Sequence, residues 1–425
     1  MLKNLTKEQK FLLWVLALIN FLNYVDRQVI FPLFHSIQIE FHVTDTELGL
    51  LGTVFMLVHS LASVPLGIMA DKYSRRKIIS GGVAFWSITS FASGLMTNFG
   101  ALLGIRSLVG IGEASYAPAA TAMISDNFPE KDRAQAQGLF NVGMFIGGTL
   151  GAMIGGIIAF HTSWRYAFFL VSVPGFVLAW LTGKIHDRRV THKHEPIPFW
   201  QLLKNQAFLW TVISGVFVTF AVGAYISWGV EFVRRYKGYN LQQASIILGL
   251  TMMLAGVVGV FLGSWLADRL QERVPWGRSI TIAFSLMFAA PLMYLGVRET
   301  GSGANFLMLF FVGTVLLSFY HGPATAVIHD VVPEHMRATA FALYVLIIHL
   351  LGDTPAPAVV GRLSDAARNF TAGYGGLQFA LELVTGLVFI SGLCFVVVAR
   401  IIRNRTKGGK QLVGVGDPMP VIIPD

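Results

Sequence analysis

Two charged residues, Asp26 and Arg27, stand inside the run FLLWVLALINFLNYVDRQVIFPLF, which is otherwise apolar enough to cross a lipid bilayer. A lone charge at mid-bilayer costs at least ~2.5–3.5 kcal/mol on insertion scales, so such groups are expected to face a polar interior and one another. A second apolar run carries Arg106 and Glu113. Their spacing of seven is about two helical turns, which sets both on one helix face, roughly 10 Å apart along its axis. One arginine, Arg106, can then serve two carboxylates, Asp26 and Glu113, at different heights. In a poorly solvated cavity desolvation favours a protonated carboxyl and a guanidinium disfavours it, so displacing Arg106 switches Asp26 or Glu113. That is the chemistry of proton coupling. The alternative is a fixed ion pair tying two helices together. Arg27, next in sequence to Asp26, is turned about 100° from it. It holds an anionic headgroup at the cavity rim or pairs at a helix interface.

Further along, His349 and Asp353 are four apart on one helix face, followed by Pro355 and Pro357, which can bend that helix. A histidine there titrates near neutral pH, and we expect this pair to share in proton coupling. Tyr116, Trp228 and Tyr320, with Arg27, Arg106 and Glu113, are the expected substrate-binding set, the aromatics lining an apolar pocket for a tail. Glu231, His321 and His329 are weaker candidates. His186, His192 and His194 fall in a basic, proline-containing stretch with no structured frame, so no metal site is expected there. The single cysteine, Cys394, allows no internal disulfide and no cysteine metal cluster. No cofactor is expected.

The elements that must position these groups are helices in a membrane. Of the 425 residues 54% are hydrophobic and 13% charged, with a mean hydropathy of +0.62, too apolar for a soluble chain. Apolar stretches of span length recur at about 11–36, 46–70, 77–97, 98–122, 133–160, 165–184, 206–235, 241–268, 277–297, 303–328, 336–362 and 376–402. Twelve transmembrane helices put both termini on one side. Most of the basic residues share that side, among them Lys3, Lys7, Lys10, Arg188, Arg189, Arg273, Arg278 and Arg403, which predicts cytoplasmic termini. The net charge of +9 is thus topological rather than a nucleic-acid footprint. No small-residue cleavage site follows the first run, so that helix is expected to be retained.

The longest polar interruption, HDRRVTHKHEPIP, divides the chain into an amino-terminal six-helix bundle (1–184), a linker (185–205), a carboxy-terminal six-helix bundle (206–402) and a tail (403–425) expected to be disordered. The halves repeat each other. SDNFPEKDRAQA at 125–136 returns as HDVVPEHMRATA at 329–340, and GIMADK at 67–72 is echoed by SWLADR at 264–269. The expected fold is an all-α membrane protein of two parallel-related bundles.

GIMADKYSRRK, Gly67 to Lys77, resembles the signature loop between the second and third helices of the major facilitator superfamily. RSLVGIG, Arg106 to Gly112, resembles its Arg-x-x-x-Gly-x-Gly pattern, and WRYAF from Trp164 the start of its sixth helix. Within that superfamily NYVDR at 23–27, GEASYAP at 112–118 and IHLLGDTPAPAVVGRLSD at 348–365 resemble the Spinster branch. The resemblance implies a gating role for Gly67, Asp71, Arg75, Arg76, Asp268 and Arg269, with Asp71 pairing across a cytoplasmic gate and Arg75 and Arg76 anchoring at the interface. Ser264 stands where the first copy has Gly67. The resemblance further implies proton-linked transport of an amphiphile, lysophospholipid-like or sphingolipid-like, by alternating access. Protons, the amphiphile and the bilayer are the expected partners of a monomeric carrier, in the inner membrane if the source is bacterial. The alternatives are a carrier of a sugar, drug or organic anion, or a non-transporting sensor. No His-Glu-x-x-His or Gly-x-Ser-x-Gly motif supports an enzyme.

Overall fold

A computed structural model describes residues 5–186, 200–300, 304–368 and 375–407. The amino-terminal half contains α1 (Lys7–Val29), α2 (Phe34–Phe41), α3 (Asp45–Lys72), α4 (Arg75–Ser93), α5 (Phe99–Ala114), α6 (Tyr116–Asn127), α7 (Glu130–His161) and α8 (Trp164–Thr182). The carboxy-terminal half contains α9 (Trp200–Leu203), α10 (Gln206–Tyr236), α11 (Leu241–Gln271), α12 (Gly277–Arg298), α13 (Ala304–Ser318), α14 (His321–Val331), α15 (Arg337–Ile348), α16 (Ala356–Ala367) and α17 (Gly376–Lys407). Among the described residues, nine helical stretches are long and apolar enough to cross a membrane. The helices α1, α4 and the α5–α6 pair are not among those nine. Their order and direction are nonetheless consistent with twelve passes. Of the expected linker, residues 187–199 lie outside the described residues, His192 and His194 with them, and α9 occupies part of the remainder. The tail beyond Lys407 also lies outside them.

Four of the expected spans are not continuous α-helices, and each interruption has a proline behind it; in the tenth, α13 and α14 part at Phe319 and Tyr320, and Pro323 has no N–H for the carbonyl of Phe319. Pro32 follows α1 within a 3-10 turn. Pro118 has no N–H for the carbonyl of Ala114, and the fourth pass breaks there at Ser115, whose hydroxyl donates to Gly112 O at 2.7 Å. Pro355 and Pro357 withhold donors from Leu351 and Asp353, and His349–Asp353 forms a π-helical turn closed by Thr354 N–H donating to His349 O at 3.1 Å.

The internal repeat has a structural counterpart. Asp126 and Asp330, at equal places in the two copies, each accept from an arginine of their own half: Arg75 at 2.5 Å and Arg278 at 2.8 Å. Gln9 Nε2 donates to Asn127 O at 2.7 Å, and Asn205 Nδ2 does the same for Val331 O at 2.6 Å, capping the equivalent helix ends α6 and α14.

The glycines of α7 let it lie against α1. A Cβ on Gly151 would stand 2.5 Å from Val25 O and one on Gly155 2.6 Å from Val29 O, so the two backbones touch. At the end of the molecule away from the termini, Lys237 is buried after α10 and donates to Glu299 O and, at 3.1 Å, to Val297 O. Burial pushes its amine down to about 8.

Candidate functional site

The polar interior of the amino-terminal half holds two crossed ion pairs. Arg106 Nη1 lies 3.2 Å from Asp26 Oδ1, both side chains 1% exposed, and Ser90 Oγ donates to the other Asp26 oxygen. Arg27 Nη2 lies 3.2 Å from Glu113 Oε2. Arg106 therefore does not serve both carboxylates as the spacing of seven suggested. Arg27 takes Glu113, which pairs α1 with α5 in this arrangement. The Phe55 ring stands 5.5 Å from both guanidinium carbons, so a cation–π face keeps the pairs side by side. Among the described residues Arg106 Nε and Glu113 Oε1 have no hydrogen-bond partner. Half-satisfied buried networks of this kind are costly and are often found where groups must exchange partners.

The glycines of RSLVGIG build this site. A Cβ on Gly110 would come within 2.7 Å of Phe55 O, and one on Gly112 within 2.7 Å of Trp86 Cβ. α5 can thus touch α3 and α4 by backbone and draw His59 over the pair: Arg27 Nη2 is 3.1 Å from His59 Nε2. His59 is a residue that the sequence reading missed, because a single histidine in an apolar helix carries no periodic signal.

The expected aromatic pocket is not assembled here. Tyr116, Trp228 and Tyr320 are all buried. Tyr116 donates to Asn20 Oδ1 at 2.5 Å within the amino-terminal core, Trp228 Nε1 donates to Pro357 O at 2.9 Å and packs on Phe34 between the halves, and Tyr320 bonds Tyr344. Their hydroxyl and indole groups are spent on packing rather than turned to an open surface. His349 Nδ1 lies 2.8 Å from Asp353 Oδ2, as the i, i+4 spacing implied, on the π-turn.

The halves meet at the end away from the termini. There the backbone of Gly361 on α16 sits against Asp45 O, and Asp365 accepts from the N–H groups of Asp45 and Thr46 at 3.2 and 2.7 Å, capping α3 from the opposite half. Asp45, fully buried, receives Arg235 at 2.8 and 2.9 Å, Arg368 at 2.9 Å and Ser364 Oγ at 2.7 Å. Glu231 binds Arg234 and Arg235 in the same network. Towards the termini the same helices expose Leu61 and Val64 on α3, Leu254 on α11 and Phe341 and Leu346 on α15. The hydrogen bonds and ion pairs named above between the halves all lie at the opposite end, away from the termini.

The expected gating residues lie at the end nearer the termini. Arg75 does not anchor at the interface: it is buried against Asp126, since a carboxylate in the repeat motif is waiting for it. Arg76 Nη1 reaches Ile185 O at 3.4 Å, Gly67 has Pro118 Cβ at 3.9 Å from its missing Cβ, Asp268 pairs with Arg278 at 2.9 Å, and Arg269 stacks over Trp265 at 5.5 Å. The Asp71 side chain lies outside the described residues.

A model of the Major Facilitator Superfamily matches residues 16–357. The chain belongs to the Major Facilitator Superfamily. Within that superfamily it is similar to Protein spinster of Drosophila melanogaster, 32% identical over 386 residues that cover 86% of this chain and 63% of the fly protein, so it spans less than two thirds of that relative. Protein spinster homolog 3 of Danio rerio is 29% identical over 442 residues, covering 96% of this chain and 88% of that protein. A crystal structure of a bacterial homologue of the human lysosomal transporter Spinster, inward-facing and unoccupied, superposes with a TM-score of 0.79 at 24% identity over 98% of this chain and 100% of that one. This facilitator is a multi-pass integral membrane protein that is similar to the spinster proteins.

Proposed function

We propose that this facilitator is a secondary active carrier that works by alternating access, couples to protons and moves a lysophospholipid-like or sphingolipid-like amphiphile. The observation that carries the reading is the pair of crossed, buried ion pairs, Asp26–Arg106 and Arg27–Glu113, with unpartnered atoms on Arg106 and Glu113. A proton on Asp26 removes the charge that holds Arg106, and the freed guanidinium turns to an anionic headgroup; losing the proton reverses the exchange. Proton and headgroup thereby bind together. The termini face the cytoplasm, so the arrangement described above is open inward and sealed outward by the Asp45 network. In the opposite state Gly67, Asp71, Arg76, Asp268 and Arg269 approach across the closing cytoplasmic end. Both halves lie in one chain, and the monomer suffices.

The test is proton-driven uptake of a lysolipid panel into vesicles, measured with melting temperature on two variants. Asp26→Asn mimics the protonated carboxyl: it keeps binding, loses the pH dependence that Asp26 supplies and no longer concentrates substrate. Arg106→Ala weakens binding itself. The near-complete burial of Asp26 and Arg106 also suits a fixed structural pair. On that reading both variants lower the melting temperature and leave the pH profile of residual transport unchanged. An Asp26→Asn protein that still concentrates substrate ends the coupling proposal.

A further inference from the structure

We infer that His59 and Arg27 together form a proton-gated site for one anionic group, of phosphate, sulfonate or carboxylate type, between the two halves. Arg27 Nη2 stands 3.1 Å from His59 Nε2 while also 3.2 Å from Glu113 Oε2. A guanidinium has only donors, so Nε2 is the acceptor, the ring proton is on Nδ1 and the imidazole is neutral in this arrangement. An imidazolium has no acceptor. Protonating His59 therefore breaks this bond and sets two cations side by side, an arrangement that an anion bridging both would stabilise.

The surrounding charges leave that task to His59. From α1, Arg27 faces it, with the Tyr24 ring 5.2 Å from the Arg27 guanidinium carbon, while Asp26 is turned to Arg106 and Ser90. From α5, Glu113 pairs with Arg27 and Arg106 with Asp26, and from α6 Tyr116 bonds Asn20. Across the gap, His349 of the π-turn is within electrostatic reach, but its charge is matched by Asp353. On α3 itself no other ionisable side chain lies between Glu47 and Asp71. Asp26 and Glu113 already balance Arg106 and Arg27, so a further anion needs a further cation. Arg27 is 15% exposed where Glu113 is fully buried, and His59 is partly exposed: these two are the members of the cluster that an incoming group meets first. The proton on His59 is distinct from the one assigned to Asp26. The inference rests on the proposal that cargo enters between the halves, but not on the cargo having a tail.

The test uses the purified full chain in detergent and two probes with constant charge between pH 5.5 and 8, decylsulfonate and methanesulfonate. The parent binds decylsulfonate about tenfold tighter at pH 5.5 than at pH 8, the equivalent of one pKa unit between bound and free protein. His59→Gln binds weakly at pH 5.5 and with a smaller pH ratio than the parent, and His59→Lys, which keeps a cation on a flexible stem, gains affinity at pH 8 and so also has a smaller ratio. Methanesulfonate with the same His59-dependent ratio, and decylsulfonate no tighter than it, upholds the anion site while removing the amphiphile from the proposed function. A pH ratio in His59→Gln as large as the parent's assigns the proton to the carboxylates alone and overturns the inference. So does a parent with no ratio, and, should His59→Gln fail to fold, a His59→Lys protein that keeps the parent's pH dependence.

Discussion

The seal at the end away from the termini makes a quantitative prediction about Asp45→Asn. Asp45 is 0% exposed, and its oxygens meet Arg235, Arg368 and Ser364. Removing one member of a buried pair costs ~3–5 kcal/mol. Asparagine keeps the shape and the bond to Ser364, Arg235 retains Glu231, and Arg368 is half-exposed and worth little. That brings the cost to about 2–3 kcal/mol, or roughly 30- to 150-fold in an equilibrium constant. Because the seal exists only when this end is closed, the cost falls on one state, and the population moves toward the state parted here. In a Cys394→Ser background, spin labels on Ile39, exposed on α2, and Arg362, exposed on α16, report the separation by pulsed electron resonance. The parent gives one short distance, and Asp45→Asn gives a dominant longer one. Arg368→Ala shifts the distribution little. An unchanged distance distribution in Asp45→Asn, with a lowered melting temperature, would show that the network holds both states equally and refute the reasoning.

Gly151→Val forces α7 off Val25 and lowers stability by about 2 kcal/mol or more by overpacking, whereas Gly256→Ala, with no atom within 4 Å of the added Cβ, leaves the melting temperature within a degree or two; equal effects would mean that the α1–α7 contact is not tight. Lys237 supplies a pH dependence. Its folded pKa of about 8 lies below the unfolded 10.5, so the folded state releases the proton first and stability rises with pH between those values, by at most about 3 kcal/mol. Lys237→Met flattens that rise in thermal melts from pH 7 to 10, and a parallel offset at all pH values would remove Lys237 as its source.

Much of this was legible in the sequence for a physical reason. Insertion costs forbid Asp26, Arg27, Arg106 and Glu113 from facing lipid, so their mutual pairing follows from hydropathy alone. Which carboxylate each arginine takes does not, because rotation of α1 against α5 is fixed by backbone contacts at Gly110 and Gly112 with other helices. The repeat motif pointed to equivalent helix ends, yet Arg75 and Arg278 sit at different offsets from it and had to be seen beside Asp126 and Asp330. The Asp45 network was invisible: its arginine partners lie 190 and more residues away, each an ordinary charge at a helix end. His349 and Asp353 were paired correctly from an α-helical spacing, although the turn that carries them is wider.

That wider turn has a consequence for chain length. A π-helical turn holds one residue more than the α-ladder it interrupts, and each residue advances an α-helix by about 100°. α15 and α16 are therefore out of phase, so the face bearing His349 between the halves and the face setting Gly361 on Asp45 need not be the same stripe of one straight helix. Deleting a single residue anywhere in HLLGD would restore the ladder and rotate Gly361 away from α3. The length of that segment is thus constrained more tightly than the identity of Leu350 or Leu351.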